Sequence, residues 1–426
     1  MADFDEIADP PMKNLFDSAS GTGVMGTAVR MAAGAPGPDL LRRCLPLFQA
    51  ATKHRLEREH DEANLFQYGS VPGAWEFRDQ LGKFLTQHYQ DPVNRADLIL
   101  TCGATHGLHV VISTLLAPGA VIFVEEATYM IALELFKEFP QFPIVAVDID
   151  DDGLVVEDLQ EKAENLKAAG SWDVNTEKPF WAMMYCIPVF HNPTGTTLSS
   201  DRCEKLVQLA RKLEMLVFCD DVYNLLAHRG DAIPRRVFAY DRSGATQFGG
   251  HVISNGTFSK ILAPGTRVGW LEAPPRLVTR LRQSGLLRSS GAVNQYMSGI
   301  VTSLLELGLQ RDHLRFLTNT LQGRMLAVCT ALETHLPSSC KFKRPRGGYY
   351  IWVTLPSEID TGKFAAWSER EYKSTALPGG MFAARPGDFT NCLRLSVAFH
   401  SQPTLEAATV RLCEALRHYL CNPGQT

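Results

Sequence analysis

Thr257-Phe258-Ser259-Lys260, followed by Ile261-Leu262-Ala263-Pro264-Gly265-Thr266 and Arg267, is the stretch on which the reading of this chain turns. It comes directly after Val252-Ile253-Ser254-Asn255-Gly256, which reads as a short buried strand. The strand ends in two hydroxyls, a lysine and, seven residues on, an arginine. A lysine beside apolar residues is costly to bury, and taken alone it reads as a solvated loop lysine. Two hydroxyls close by and an arginine within reach change that reading. They make an anion cradle next to an amine, which suits a phosphate-bearing cofactor held through a Schiff base.

Working outward, the same pattern recurs. Asp97–Thr101 is a short apolar strand, and Gly103-Ala104-Thr105 opens a helix whose Leu108, Val111, Ile112 and Leu115 share a face. Strand Val121–Val124 leads to Thr128-Tyr129, and strand Ile144–Val147 to a helix over Val156–Lys167. Phe180–Cys186 leads to His191-Asn192-Pro193-Thr194-Gly195. Ser200 or Asp201 is expected to cap a helix with Glu204 in its first turn, and Met215–Cys219 ends at Asp220-Asp221. Strands alternating with helices of about a dozen residues indicate an α/β fold, a mostly parallel sheet with helices on both faces. Thr105, Tyr129, Asn192, Asp220 and Lys260 each follow a strand's C-terminal end, where open α/β sheets bind ligands.

Both ends of the chain read differently. Asp39 is expected to cap a helix running towards Arg58. Gly21-Thr22-Gly23-Val24-Met25-Gly26 spells G-x-G-x-x-G, but no strand precedes it, so a flexible loop is preferred to a dinucleotide fingerprint. After Trp270, helical segments run from Arg276 to His335. Strands follow at Gly347–Thr354 and Asn391–Val397, then a helix over Thr404–Leu420. The expected division is an N-terminal segment (1–60) joining a smaller α+β domain (291–426), with a large cofactor-binding domain between (61–290).

Bulk properties exclude several classes. The 426 residues are 45% hydrophobic and 21% charged, as in an ordinary globular protein. A net charge of −4 offers no basic field for nucleic acid or an anionic membrane. No apolar run approaches the roughly 20 residues of a membrane span. The ten cysteines form no C-x-x-C pair, so a reducing, cytoplasmic setting and no metal site are expected. His106 and His109 lie off the apolar stripe of their helix and read as solvent or loop contacts.

One ligand accounts for all the strand-end residues. Pyridoxal 5'-phosphate needs N–H donors at a helix start, hydroxyls and an arginine for its phosphate; Gly103, Ala104, Thr105, Thr257, Ser259 and Arg267 supply them. Its ring nitrogen needs a buried carboxylate to stay protonated, and Asp220 fits. Asn192 and Tyr223 suit its phenolic oxygen, Tyr129 its ring face, and Lys260 its aldehyde. Arg394 suits a substrate carboxylate. Singly, each has an ordinary alternative: a core tyrosine, a turn, a snorkelling strand arginine.

With these residues the chain resembles the fold-type I aspartate aminotransferase superfamily, class I/II, and within it the group of 2-aminoadipate and kynurenine aminotransferases and the aminotransferase-like half of MocR regulators. The motifs are Gln67-Tyr68-Gly69 with Gly73, Gly103-Ala104-Thr105, Tyr129, His191–Gly195, Asp220 with Tyr223, Thr257–Lys260, Arg267–Trp270, Gly347–Tyr350 and Leu393-Arg394-Leu395. The resemblance implies transamination from an α-amino acid to a 2-oxo acid by a ping-pong course, with Lys260, Asp220 and Tyr129 catalytic. It also implies a homodimer in which Tyr68 reaches the neighbour's phosphate and Gly34 lies near the substrate carboxylate beside Arg394 and Asn192. Ala104 departs from the serine often found there, and Val222 from a proline. Tyr349 and Tyr350 point to a large, aromatic or 2-aminoadipate-like side chain. A lyase, decarboxylase or racemase would use the same electron sink. A MocR-like ligand sensor would need a DNA-binding domain that the fewer than about 40 residues before Gly34, where the resemblance begins, do not supply.

Overall fold

The computed structural model describes residues 28–61, 63–228, 230–242, 250–289 and 293–421. The Gly21–Gly26 stretch, expected as a flexible loop, therefore lies outside the described residues. In chain order the strands are β1 (Val29–Arg30), β2 (Leu98–Thr101), β3 (Leu116–Glu125), β4 (Ile144–Val147), β5 (Ile149–Asp150), β6 (Gly153–Leu154), β7 (Phe180–Cys186) and β8 (Leu216–Asp220). They continue with β9 (Val252–Thr257), β10 (Gly269–Glu272), β11 (Lys341–Phe342), β12 (Tyr350–Thr354), β13 (Ser374–Thr375), β14 (Leu377–Pro378) and β15 (Cys392–Ser396).

Seven of them form one sheet in the order β2-β10-β9-β8-β7-β3-β4. β4, β3, β7, β8 and β9 run parallel, and β10 alone is antiparallel to both its neighbours. Two antiparallel steps return β2 to the common direction, so β2, β3, β7, β8 and β9 end on one edge. The near-continuous apolar runs of the central strands reflect burial on both faces. In β7, Met183 and Tyr185 enter one core while Ala182, Met184 and Cys186 enter the other. In β8 the same alternation divides Leu216 and Phe218 from Val217 and Cys219. Helix Ala104–Leu115 covers the first face and helix Ser200–Leu213 the second.

A second sheet, β11-β12-β15-β14, is antiparallel in each of its pairings and holds Arg394 at its centre, opposite Trp352 and Leu377. β1 pairs in parallel with β13, tying the start of the described chain to its last third. The long helix Leu309–His335 packs on Gln402–Cys421, and Gln295–Glu306 packs on Cys44–Arg58 and Trp75–Tyr89. Among the described residues, no helix is long and apolar enough to cross a membrane.

Several local expectations are corrected. Ser199, not Ser200 or Asp201, caps its helix, its Oγ accepting from Arg202 N; Asp201 occupies the first turn instead of Glu204. Asp39 caps nothing. It sits in the first turn of the short helix Pro38–Arg42 and pairs with the buried Arg324. The strand expected from Gly347 begins at Tyr350, because Gly348 takes a φ of +71°, a left-handed conformation no strand continues through.

Candidate active site

The sheet edge on which β2, β3, β7, β8 and β9 end opens into a cavity of about 170 Å³. Ala104, Thr105, Tyr129, Asn192, Asp220, Tyr223, Thr257, Ser259, Lys260 and Arg267 all line it. Four further expected residues do not. Gly103 caps helix Ala104–Leu115 beside it, with φ +85°. Gly34 and Arg394 contact lining residues from behind. Tyr68 is 78% exposed and takes no part in the cavity of its own chain.

At one end of the cavity, Arg267 folds back with φ +50°, and its Nη1 donates to Ser259 Oγ at 3.3 Å. Thr257 Oγ1 in turn donates to Ser259 Oγ at 3.0 Å. A Cβ at Gly103 would stand 2.6 Å from Arg267 Nη2, so glycine here leaves room for the guanidinium. Helix Ala104–Leu115 starts at the same place and turns its first N–H groups towards this end. The result is an anion cradle of hydroxyls, guanidinium and helix start.

At the other end stands Asp220, buried. Its Oδ2 accepts from the Tyr185 hydroxyl at 2.9 Å and its Oδ1 from Asn255 Nδ2 at 3.0 Å. Burial pushes its carboxyl up to about 6, against the pull of these two donors and of Lys260. Burial also lowers the Lys260 pKa, reinforced by Arg394 and Arg267 and opposed by Tyr350 and Asp220. Lys260 Nζ donates to Gly34 O at 2.8 Å. Tyr129 is held protonated by burial, with Tyr350 and Asp220 acting in the same sense.

Arg394 is buried behind Asn192. Its Nη1 donates to Asn192 Oδ1 at 2.9 Å and its Nη2 to Ala32 O at 2.6 Å. Its guanidinium lies 4.2 Å from the Tyr350 ring centroid and 4.7 Å from that of Phe382. Arg394 Nε is buried with no partner among the described residues, a donor held ready for an acceptor.

These groups fit pyridoxal phosphate. A cradle for an anion, an amine, a buried acid and a waiting guanidinium meet around one small cavity, and a buried carboxylate whose hydrogen-bond partners are neutral suits a ligand that brings its own positive charge.

The sequence reading missed Tyr185, Asn255 and Glu125. Tyr185 lines the cavity as the one polar head on its face of β7. Glu125, at the end of β3, lies 3.0 Å from His191 Nε2 and braces the Asn192 loop. Glu125 closes a buried strand, the same signal that exposed Asp220, whereas Tyr185 and Asn255 lie within theirs. Tyr349 and Tyr350, which pointed to a large or aromatic side chain, divide. Tyr349 Oη donates to Lys260 O at 2.7 Å and braces the backbone there, whereas Tyr350 Oη lies 3.0 Å from Tyr223 Oη. His106 Nδ1 accepts from Cys102 N at 3.1 Å, a loop contact as expected, and His109 packs on Phe139. No group of three or more His, Cys, Asp or Glu among the described residues could hold a metal.

Comparison with known proteins gives a consistent picture. The family model for aminotransferase class I and II matches residues 38–412. An aromatic-amino-acid aminotransferase of Thermococcus litoralis is 30% identical over 394 residues, covering 91% of this chain and 88% of that protein. A 2-aminoadipate transaminase of Thermus thermophilus is 29% identical over 394 residues, covering 91% and 90%. The crystal structure of Pyrococcus horikoshii kynurenine aminotransferase superposes with a TM-score of 0.82 at 28% identity, covering 97% of this chain and 96% of that one.

Proposed function

The chain belongs to the class I and II aminotransferases and is a pyridoxal-phosphate-dependent transaminase, and from that premise we propose that its amino donor is a large amino acid, aromatic or 2-aminoadipate-like, and its acceptor a 2-oxo acid such as 2-oxoglutarate. The observation that carries the reading is the shared cavity of Lys260, Asp220 and Asn192, with Arg394 bonded to Asn192 behind it. The named substrates of the similar proteins, an aromatic amino acid, 2-aminoadipate and kynurenine, supply the size class.

The bound cofactor supplies an electron-poor ring that makes the substrate's Cα proton acidic. The chain's own residues divide the remaining work. Arg394 binds the substrate carboxylate, which takes the place of the weaker neutral acceptor Ala32 O and finds Nε unpaired. Asn192 holds Arg394 in place and faces the cavity. Lys260 Nζ, whose ammonium form burial disfavours, is the base that takes up the Cα proton. Tyr129 would serve the ring face, Thr257, Ser259, Arg267 and the helix start at Gly103 would hold the phosphate, and Asp220 would hold the ring nitrogen. One site serving donor and acceptor in turn gives ping-pong kinetics.

A homodimer in a reducing, cytosolic setting completes the proposal. Phe66 and Tyr68 are 67% and 78% exposed, and Phe66 lies 5.9 Å from the partly exposed Tyr296 ring. Such a patch suits burial against a second copy, with Tyr68 reaching across to that copy's phosphate cradle. All ten cysteines are free thiols.

The test is a panel of amino donors assayed with 2-oxoglutarate by formation of the donor's 2-oxo acid. Aromatic amino acids and 2-aminoadipate are expected to exceed alanine and aspartate in kcat/KM. A preference for short donors would overturn the substrate class.

A further inference from the structure

Asp220 is met by two neutral donors, and both are fixed in place. Tyr185 gives its hydroxyl to Oδ2, and Asn255 gives its amide to Oδ1. The Tyr185 ring is wedged edge-on to Phe136 (5.5 Å, 79°) and stacked with Phe218 (6.0 Å, 17°), all three fully buried. Asn255 Nδ2 also reaches Ala104 O at 3.1 Å, at the start of the helix that opens the anion cradle. A Cβ at Gly107 would run into Asn255 Oδ1, so that glycine makes the position possible. One amide thus links the acid at one end of the cavity to the phosphate cradle at the other.

A tyrosine is a poor choice for packing alone at Tyr185. A phenylalanine would fill the same apolar slot without a hydroxyl that must find a partner. The hydroxyl finds that partner in Asp220, and burial together with the Asp220 charge holds it protonated as a donor.

We propose that Tyr185 is a positioning residue for the cofactor: its hydroxyl, with the Asn255 amide, keeps the Asp220 carboxylate ionised and fixed at the cavity wall, so that a protonated ring nitrogen finds a charged and oriented acceptor. The proposal rests on the reading that Asp220 receives the ring nitrogen. Its signature is dependence on that nitrogen. A hydrogen bond to a charged group that stabilises the ionised form strengthens binding of a cationic ring and does nothing for a neutral one.

The experiment uses the cofactor-free protein and two ligands: pyridoxal phosphate, and its analogue with carbon in place of the ring nitrogen. In Tyr185→Phe, affinity for pyridoxal phosphate is expected to fall about 10- to 100-fold, while affinity for the carbon analogue stays within about twofold. In an Asp220→Asn background the same change is expected to have no further effect. Asn255→Ala is expected to reproduce the nitrogen-dependent loss, and thermal unfolding of each cofactor-free variant establishes that it folds. Equal losses for both ligands, or an unchanged affinity for pyridoxal phosphate, would overturn the role of Tyr185. Failure of the underlying reading looks different: Asp220→Asn alone would then leave the preference for pyridoxal phosphate over the carbon analogue intact.

Discussion

The amine of Lys260 donates to the carbonyl of Gly34, 2.8 Å away and 226 residues earlier in the chain. This bond brings the segment after β1 against the sheet edge that carries the cavity. Nearby, Arg394 Nη2 donates to Ala32 O and Ser396 Oγ to Ala33 O. Three consecutive carbonyls therefore satisfy an amine, a guanidinium and a hydroxyl at the site.

Lys260→Ala removes the only lysine among the described residues that line the cavity. The expected result is a loss of transamination of at least about 10³-fold, since a positioned base alone is worth about 10²–10⁴. The visible absorbance of the covalently held cofactor should also disappear. Both are read in one spectrophotometric assay, and retention of full activity would remove Lys260 from the mechanism.

Arg394→Lys keeps the charge but loses the planar fork that bonds Asn192 and Ala32 and lies against Tyr350 and Phe382. A lysine cannot reproduce bidentate binding of a carboxylate. The expected result is a fall in kcat/KM of about 10²-fold, from the loss of about 2–3 kcal/mol of charged hydrogen bonding, appearing mainly in KM for both amino acid and oxo acid. Steady-state kinetics on the two half-reactions decides it.

Gly34→Ala places a methyl group against the Tyr350 hydroxyl, which is itself paired with Tyr223. Overpacking of a filled site costs about 1–3 kcal/mol. Lower thermal stability and a higher KM are expected together, and adding Tyr350→Phe, which removes the clashing oxygen, should recover much of the stability. If the single variant melts like the parent protein, the close approach does not constrain position 34.

Asp220→Asn should stabilise the cofactor-free protein at neutral pH. Burial raises the Asp220 carboxyl to about 6, against about 3.9 for an unfolded aspartate. The folded chain therefore holds this proton more tightly. Its contribution to stability is complete below about pH 4 and is lost as pH rises through 6. At pH 7 the ionised group costs about 2–3 kcal/mol, which the neutral amide avoids. The stability gap between variant and parent should close as pH falls from 7 to 4 in denaturant titrations, while cofactor affinity is lost in the variant. A gap that is constant with pH would rule out this account.

Much of the site is legible in the sequence because cofactor chemistry concentrates polar residues at strand ends. Thr105, Tyr129, Asn192, Asp220 and Lys260 stand out against apolar runs, and the structure gathers all five around one cavity. Tyr185 and Asn255 escaped because they sit inside strands, where the alternation of faces decides whether a polar head meets the site or the opposite core. Tyr349 and Tyr350 show the same limit: adjacent in sequence, one braces the backbone at Lys260 and the other faces Arg394.

By itself the sequence determined the α/β architecture, the strands whose ends carry the chemistry, and the kind of cofactor those ends can hold. Periodicity and local turn chemistry are short-range, so they survive in the linear chain. Only the tertiary structure decided that β10 runs antiparallel between β2 and β9, that Gly34 closes on Lys260, and that Tyr185 and Asn255 clamp Asp220. Those relationships depend on strand order and on which face each side chain takes, and both are settled by burying two cores at once, not by any local propensity.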